Sequence, residues 1–193
     1  RHAIDKLYYN KFEAYSNKLM ATLFNSFEEF ILIDVDTVLL KNPKYFLELP
    51  KYIETGAYFY KDRAIQQFSP KSDSTFFKKI ATNPMDAFMF NLDLLDLQIW
   101  EFDYFKHGRY HYMASGLVVI DRLRHFNSVL TMIQMNFYNL VKDRVWGDKE
   151  LFWLSFLVNG ESFAFNPWDS ATIGVPTEER KNTHFSKEIC SSH

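Results

Sequence analysis

Two aspartates separated by one residue, Asp34 and Asp36, follow the apolar run Phe30-Ile31-Leu32-Ile33. Carboxylates are hard oxygen ligands, and Mn²⁺ or Mg²⁺ is commonly held by one or two of them together with substrate phosphates. Side chains at i and i+2 of an extended chain point to the same side, so both acids could reach one cation, or a cation and a sugar hydroxyl. The chemistry this suggests is a divalent cation carrying a diphosphate. The same pair also suits the start of a turn ahead of Asn42-Pro43. What favours chemistry is the context, since charge is costly at the end of a strand that reads as wholly buried.

Further along, Asp148 and Glu150 flank Lys149 at the expected start of a helix, where acids are favoured by the helix dipole. A carboxylate there could also orient an acceptor hydroxyl or stabilise positive charge developing at a sugar carbon. Ser115-Gly116 opens an apolar strand; glycine there allows the backbone close to a ligand, or marks a bulge or tight strand entry. His107 and His111 have the spacing of two ligands on one helix face, but Gly108 between them opposes a helix and no acid completes a zinc set. Neither a Gly-x-Ser-x-Gly elbow nor a phosphate-cradling glycine loop occurs. His184 reads as a surface residue.

These residues need elements to position them. Tyr8, Phe12, Tyr15, Leu19 and Leu23 recur at helical spacing and predict a helix over 5–24, with Lys18 off its apolar stripe. The run from Phe30 is unbroken rather than alternating, which predicts a buried strand of a parallel sheet with the acids at its carboxyl end, where open α/β sheets bind ligands. A short helical or irregular piece follows Asn42-Pro43 and ends at Pro50, and Gly56 to Tyr60 reads as a second strand. Ala64 to Pro84 is polar and carries Ser69-Pro70 and Asn83-Pro84, so it reads as a surface excursion. Pro84 to Trp100 reads as one helix followed by a break. Leu117 to Ile120 forms a third strand, Asn127 a cap for a helix through Leu130, Ile133, Phe137 and Val141, and Leu151 to Val158 a last helix. A short strand at Phe163 to Phe165 and an exposed Gly174 to Arg180 complete the chain.

With 193 residues, 47% hydrophobic and 18% aromatic, the chain fits one globular domain, 1–193, and lies far from the disordered class. A net charge of −2 with no basic block points away from nucleic acid and anionic membranes. No apolar run reaches the roughly 20 residues of a spanning helix, so any membrane anchor is expected outside this chain. Cys190, the single cysteine, is free or pairs with a residue not present here. The opening at Arg1 and the end at His193 suggest a fragment.

The order of these pieces resembles a GT-A glycosyltransferase, an α/β fold with a mixed, mostly parallel sheet flanked by helices. More closely, Asn17-Lys18-Leu19-Met20-Ala21, Phe24 to Glu29, Ile33-Asp34-Val35-Asp36-Thr37-Val38, Ser115 to Asp121 and Trp146 to Trp153 resemble the fungal Golgi α-1,3-mannosyltransferases of glycosyltransferase family 71. This resemblance implies transfer of mannose from GDP-mannose to a mannose hydroxyl of a glycan, with retention and with Mn²⁺ (or Mg²⁺) as cofactor. It assigns the metal and donor to Asp34 and Asp36, the diphosphate to Lys18, the acceptor side to Ser115 and Gly116, and the reacting centre to Asp148, with Glu150 beside it. It also implies a lumenal domain of a type II membrane protein. Relative to the GT-A pattern the chain starts after the base-binding strand-helix-strand portion and stops before a metal-binding histidine, and Ala114 stands where glycogenin-like enzymes have asparagine. A UDP-sugar transferase sharing the aspartate pair, or a non-catalytic mannan-binding domain, are the other readings.

Overall fold

The computed structural model describes residues 14–63, 67–92, 97–171, 175–176 and 189–190. The first residues of the expected N-terminal helix, with Tyr8 and Phe12, as well as His184, His193 and most of Gly174 to Arg180, lie outside these. Helix α1 (Ala14–Phe24) leads into β1 (Glu29–Ile33). Two short helices, α2 (Lys44–Leu47) and α3 (Pro50–Thr55), precede β2 (Ala57–Lys61). After α4 (Lys71–Ile80), α5 (Pro84–Phe90), a 3₁₀ turn at Leu97–Glu101 and α6 (Asp103–Lys106) comes the long strand β3 (Met113–Asp121). Helices α7 (Phe126–Phe137), α8 (Asn139–Lys142) and α9 (Lys149–Asn159) and strand β4 (Ala164–Asp169) follow. A two-residue pair, β5 (Val175–Pro176) with β6 (Ile189–Cys190), stands apart from the main sheet.

The main sheet has the order β1-β3-β2-β4. Strand β3 runs antiparallel to both β1 and β2, and only β2 and β4 are parallel. The expectation of a mostly parallel sheet is therefore corrected, and so is the interior place given to the Asp34 strand. Strand β1 lies at one edge, and Phe30 is its only buried residue. Its apolar run has another cause: helices cover both faces of the sheet, so alternate residues are both apolar. On one face Phe30, Ala57, Phe59, Val118 and Ile120 join Leu19 of α1, Val129 and Met132 of α7 and most of α9. On the other, Tyr58 and Val119 meet Phe46 of α2 and Tyr52 of α3.

Helix α9 is the centre of the larger core. Every residue from Glu150 to Leu157 is buried, as expected for a helix that is apolar almost all round. Trp153, with no exposed surface, meets Tyr104, Phe105, Tyr112 and Phe165 at ring distances of 5.2–6.0 Å, Tyr104 being the nearest of the four.

Several boundaries differ from the sequence reading. The polar stretch 64–84 contains α4, whose Phe77 is fully buried; Phe76, Phe77 and Ile80 form a narrow apolar stripe masked by lysines and serines. Pro50 starts α3 instead of ending a segment, because a helix's first position needs no N–H. The residue before α7 is His125 and not Asn127; its ring nitrogens face Glu161 (2.8 Å) and the Thr55 carbonyl (2.7 Å).

Candidate active site

The site grows from one lysine. Helix α1 places Lys18 so that its ammonium pairs with Asp34 Oδ1 at 2.7 Å and Asp148 Oδ2 at 3.3 Å and donates to the carbonyl of Ser115. Four residues expected to act together, spread over 131 positions of chain from Lys18 to Asp148, thus meet at a single nitrogen. Their burial is graded: the side chains of Asp148, Lys18 and Asp34 are 7%, 15% and 38% exposed. Asp148 Oδ2 lies at ion-pair distance from the ammonium without hydrogen-bond alignment, so that buried oxygen has no hydrogen-bond partner.

The aspartate pair is held differently from the expectation. Strand β1 ends at Ile33, and the Thr37 N–H donates to the Asp34 carbonyl at 2.9 Å, closing a turn with Val35 and Asp36 at its centre. Strand alternation therefore does not align the two acids; a turn presents them. The Asp34 N–H donates to the Gly116 carbonyl at 3.0 Å, which fastens the turn to β3. A Cβ on Gly116 would lie 3.0 Å from Thr37 Oγ1, so the glycine's missing side chain lets the turn sit against the strand. Asp36 is exposed and has no hydrogen-bond or ion-pair partner among the described residues.

Glu150 occupies the core. Its carboxylate accepts the N–H groups of Tyr112 (2.7 Å) and Met113 (3.1 Å) and the indole N–H of Trp153, fixing the start of β3 to α9. Burial pushes its pKa up to about 7, outweighing the three N–H donors that favour the ionised form.

A second polar cluster was not foreseen. Arg109, buried, donates to the Asp62 carbonyl at 2.6 Å and pairs with Asp169 at 3.2 Å, while Lys149 pairs with Asp62 Oδ2 at 2.8 Å. The only sequence signal was the density of bases and aromatics over 104–112. His107 is exposed and pairs with Asp103 (2.9 Å), and His111 lies against Tyr110 and Trp146, so the two histidines are not joint ligands. No cluster of three or more metal-ligating side chains occurs among the described residues. Two cavities of about 560 and 580 Å³ are lined by other residues, among them Phe163 and Phe165 in the first and Phe76 and Val141 in the second.

The family described as "Mannosyltransferase putative" matches residues 1–193. The chain belongs to this mannosyltransferase family. Among curated relatives, "Putative alpha-1,3-mannosyltransferase MNN12" of Candida albicans is 47% identical over 100% of the chain and 24% of its own length. "Putative alpha-1,3-mannosyltransferase MNN1" of the same organism is 44% identical over 100% of the chain and 25% of its own length. "Alpha-1,3-mannosyltransferase MNT3" of Saccharomyces cerevisiae is 32% identical over 92% of the chain and 31% of its own length. The chain thus spans about a quarter of the length of the first two relatives and a little more of the third. No described helix is long and apolar enough to cross a membrane.

A mannosyltransferase handling a sugar diphosphate must offset phosphate charge. Here one ammonium faces Asp34 and Asp148, with Asp36 on the adjoining turn, so a diphosphate alone would meet net negative charge. Two accessible carboxylates, one of them unpartnered, fit the donor set of a cation that takes its remaining ligands from phosphate and water. Asp34 and Asp36 are the residues that would hold it.

Proposed function

We propose that this chain forms the catalytic core of a retaining α-1,3-mannosyltransferase that moves mannose from GDP-mannose to a mannose hydroxyl of a glycan. The observation that carries the reading is the meeting of Lys18, Asp34, Ser115 and Asp148 at one nitrogen. A bound Mn²⁺ or Mg²⁺ would supply charge neutralisation of the diphosphate. The remaining work falls to side chains.

Lys18 has three N–H donors, and Asp34, Asp148 and the Ser115 carbonyl surround them. A donor phosphate therefore enters by displacing one partner. Asp34 is the easiest to displace, because it is the most exposed of the pair of carboxylates and its interaction is the most screened. Lys18 then stabilises negative charge growing on the departing β-phosphate, while the Asp148 carboxylate stabilises positive charge at the anomeric carbon. As the bond from that carbon to the phosphate oxygen breaks, a bond to the acceptor oxygen forms on the same face, and the acceptor proton passes to the departing phosphate. Glu150, engaged by three N–H groups, serves as scaffold for the strand that carries Ser115. Gly116 serves the aspartate turn in the same way. A secretory-pathway setting, lumenal in the Golgi with an anchor elsewhere in the protein, accompanies this reading.

Calorimetric titration of GDP and of UDP into the intact protein, with and without Mn²⁺, tests it. Mn²⁺-dependent binding of GDP in preference to UDP, lost in Asp36→Ala, is the expected result. Preference for UDP would redirect the donor assignment. Metal-independent binding of oligomannose alone would leave a glycan-binding module. Asp148→Asn is expected to keep GDP affinity while lowering transfer by about a hundredfold or more, the scale of losing one charge-stabilising group.

A further inference from the structure

Three rings meet beside the site without a part in the roles above. Trp146 lies edge-on to Tyr110 and His111, with centroids 6.4 and 6.2 Å away, and Tyr110 meets His111 at 5.0 Å. Trp146 nonetheless leaves 59% of its surface exposed. Only Gly147 separates it from Asp148, and that glycine's φ of 66° turns the chain in the left-handed region that other residues seldom adopt. Two residues span at most about 7 Å, so the indole is rooted next to the buried carboxylate whose Oδ2 lacks a hydrogen-bond partner. From Ser115, whose carbonyl holds Lys18, back to His111 is four residues, at most about 13 Å of extended chain. The rings and the ammonium cluster are therefore neighbours along two separate chain segments.

A pyranose offers an apolar face of C–H groups and a rim of hydroxyls. Flat aromatic surface suits the first, and paired donors and acceptors suit the second. Burial, then the nearby Lys149 ammonium, lowers the His111 pKa below its ordinary value, so its imidazole is neutral at neutral pH and offers one donor and one acceptor. No hydrogen bond occupies that ring among the described residues.

We propose that Trp146, flanked by Tyr110 and His111, is the acceptor subsite, stacking on a pyranose ring of the glycan whose hydroxyl is presented to Asp148. This rests on the transferase reading above, since that reaction needs a glycan acceptor. Trp146 acts by stacking, His111 by meeting a ring hydroxyl.

The test compares the intact wild-type protein with Trp146→Ala, Trp146→Phe and His111→Ala. Binding of α-linked mannobiose is followed by saturation-transfer NMR, GDP binding by calorimetry, and transfer by steady-state kinetics. Trp146→Ala is expected to raise the KM for mannobiose about tenfold, the scale of one lost aromatic contact, with kcat and GDP affinity unchanged. Phenylalanine should restore most of the loss, and His111→Ala should give a smaller rise. An unchanged acceptor KM in Trp146→Ala, or a loss of GDP affinity in place of acceptor affinity, overturns the proposal. The two readings fail separately: a wild-type protein that transfers no mannose but binds mannobiose through Trp146 sinks the transferase, and with it the acceptor role, and leaves Trp146 as a mannose-stacking residue. Absence of mannobiose binding to an active wild-type protein sinks the subsite alone.

Discussion

Lys18 is the residue on which the charge balance of the site turns. Replacing it by methionine leaves Asp34 and Asp148 facing each other without their cation. Breaking a fully buried pair costs about 3–5 kcal/mol, but Asp34 is 38% exposed and screened, so a loss on the order of 2 kcal/mol is expected at neutral pH. Thermal melts of wild type and Lys18→Met at neutral pH check this, and an unchanged Tm would mean that the ammonium adds nothing to the stability of the fold. Residue type marked the acids, appended as they are to apolar runs, whereas Lys18, one of three lysines in the expected helix over 5–24, stood out only through the family resemblance. Glu150 was the opposite case. Its neighbour Asp148 carries the same charge on the next but one position, and only the fold reveals that one faces the ammonium and the other three N–H groups.

At the scale of elements, Glu150 ties β3 to α9 and leaves a signature in pH. Its carboxyl has an ordinary value of 4.5 and is pushed up to about 7 in the fold. Between these values the folded protein holds a proton that the unfolded chain has released. Stability should therefore fall as pH rises through that window, by a few kcal/mol in all, and level off on either side. Urea unfolding at several pH values would reveal the slope, and Glu150→Gln should flatten it. That variant should also lose about 1–3 kcal/mol, since the new amide NH₂ faces the Trp153 indole N–H and leaves it unpaired. The turn after β1 makes a second case. Gly116→Ala forces Thr37 away from the new Cβ and should weaken the proposed Mn²⁺-dependent GDP binding, while Thr37→Ala in the same chain should recover part of it. A double-mutant cycle with coupling of about 0.5–3 kcal/mol is expected; additive effects would show that the glycine and the turn are independent. Helices such as α7 and strands such as β2 and β3 were legible because period and apolar content agree there. Strand direction was not: a run apolar on both sides reports two covered faces, and an antiparallel edge strand under two helical layers satisfies that as well as a parallel one.

For the molecule as a whole, burial around α9 sets the stability. Trp153→Ala should cost about 3–5 kcal/mol and lower Tm, while the proposed preference for GDP over UDP stays the same in whatever fraction remains folded. The sheet order carries a different consequence. Strand β3 pairs with β1 on one side and β2 on the other, yet it follows both in the chain, Glu29 meeting Asp121 and Ala57 meeting Ile120. During synthesis β1 and β2 leave the ribosome with no mutual ladder to form, their apolar edges bare until the chain has passed residue 121. The Ser115 carbonyl that receives Lys18 arrives with β3 itself, and Asp148 emerges later still. A nascent chain stalled before β3 would already hold Lys18 and Asp34 but neither the Ser115 carbonyl nor Asp148, so the sheet can close before the site is complete.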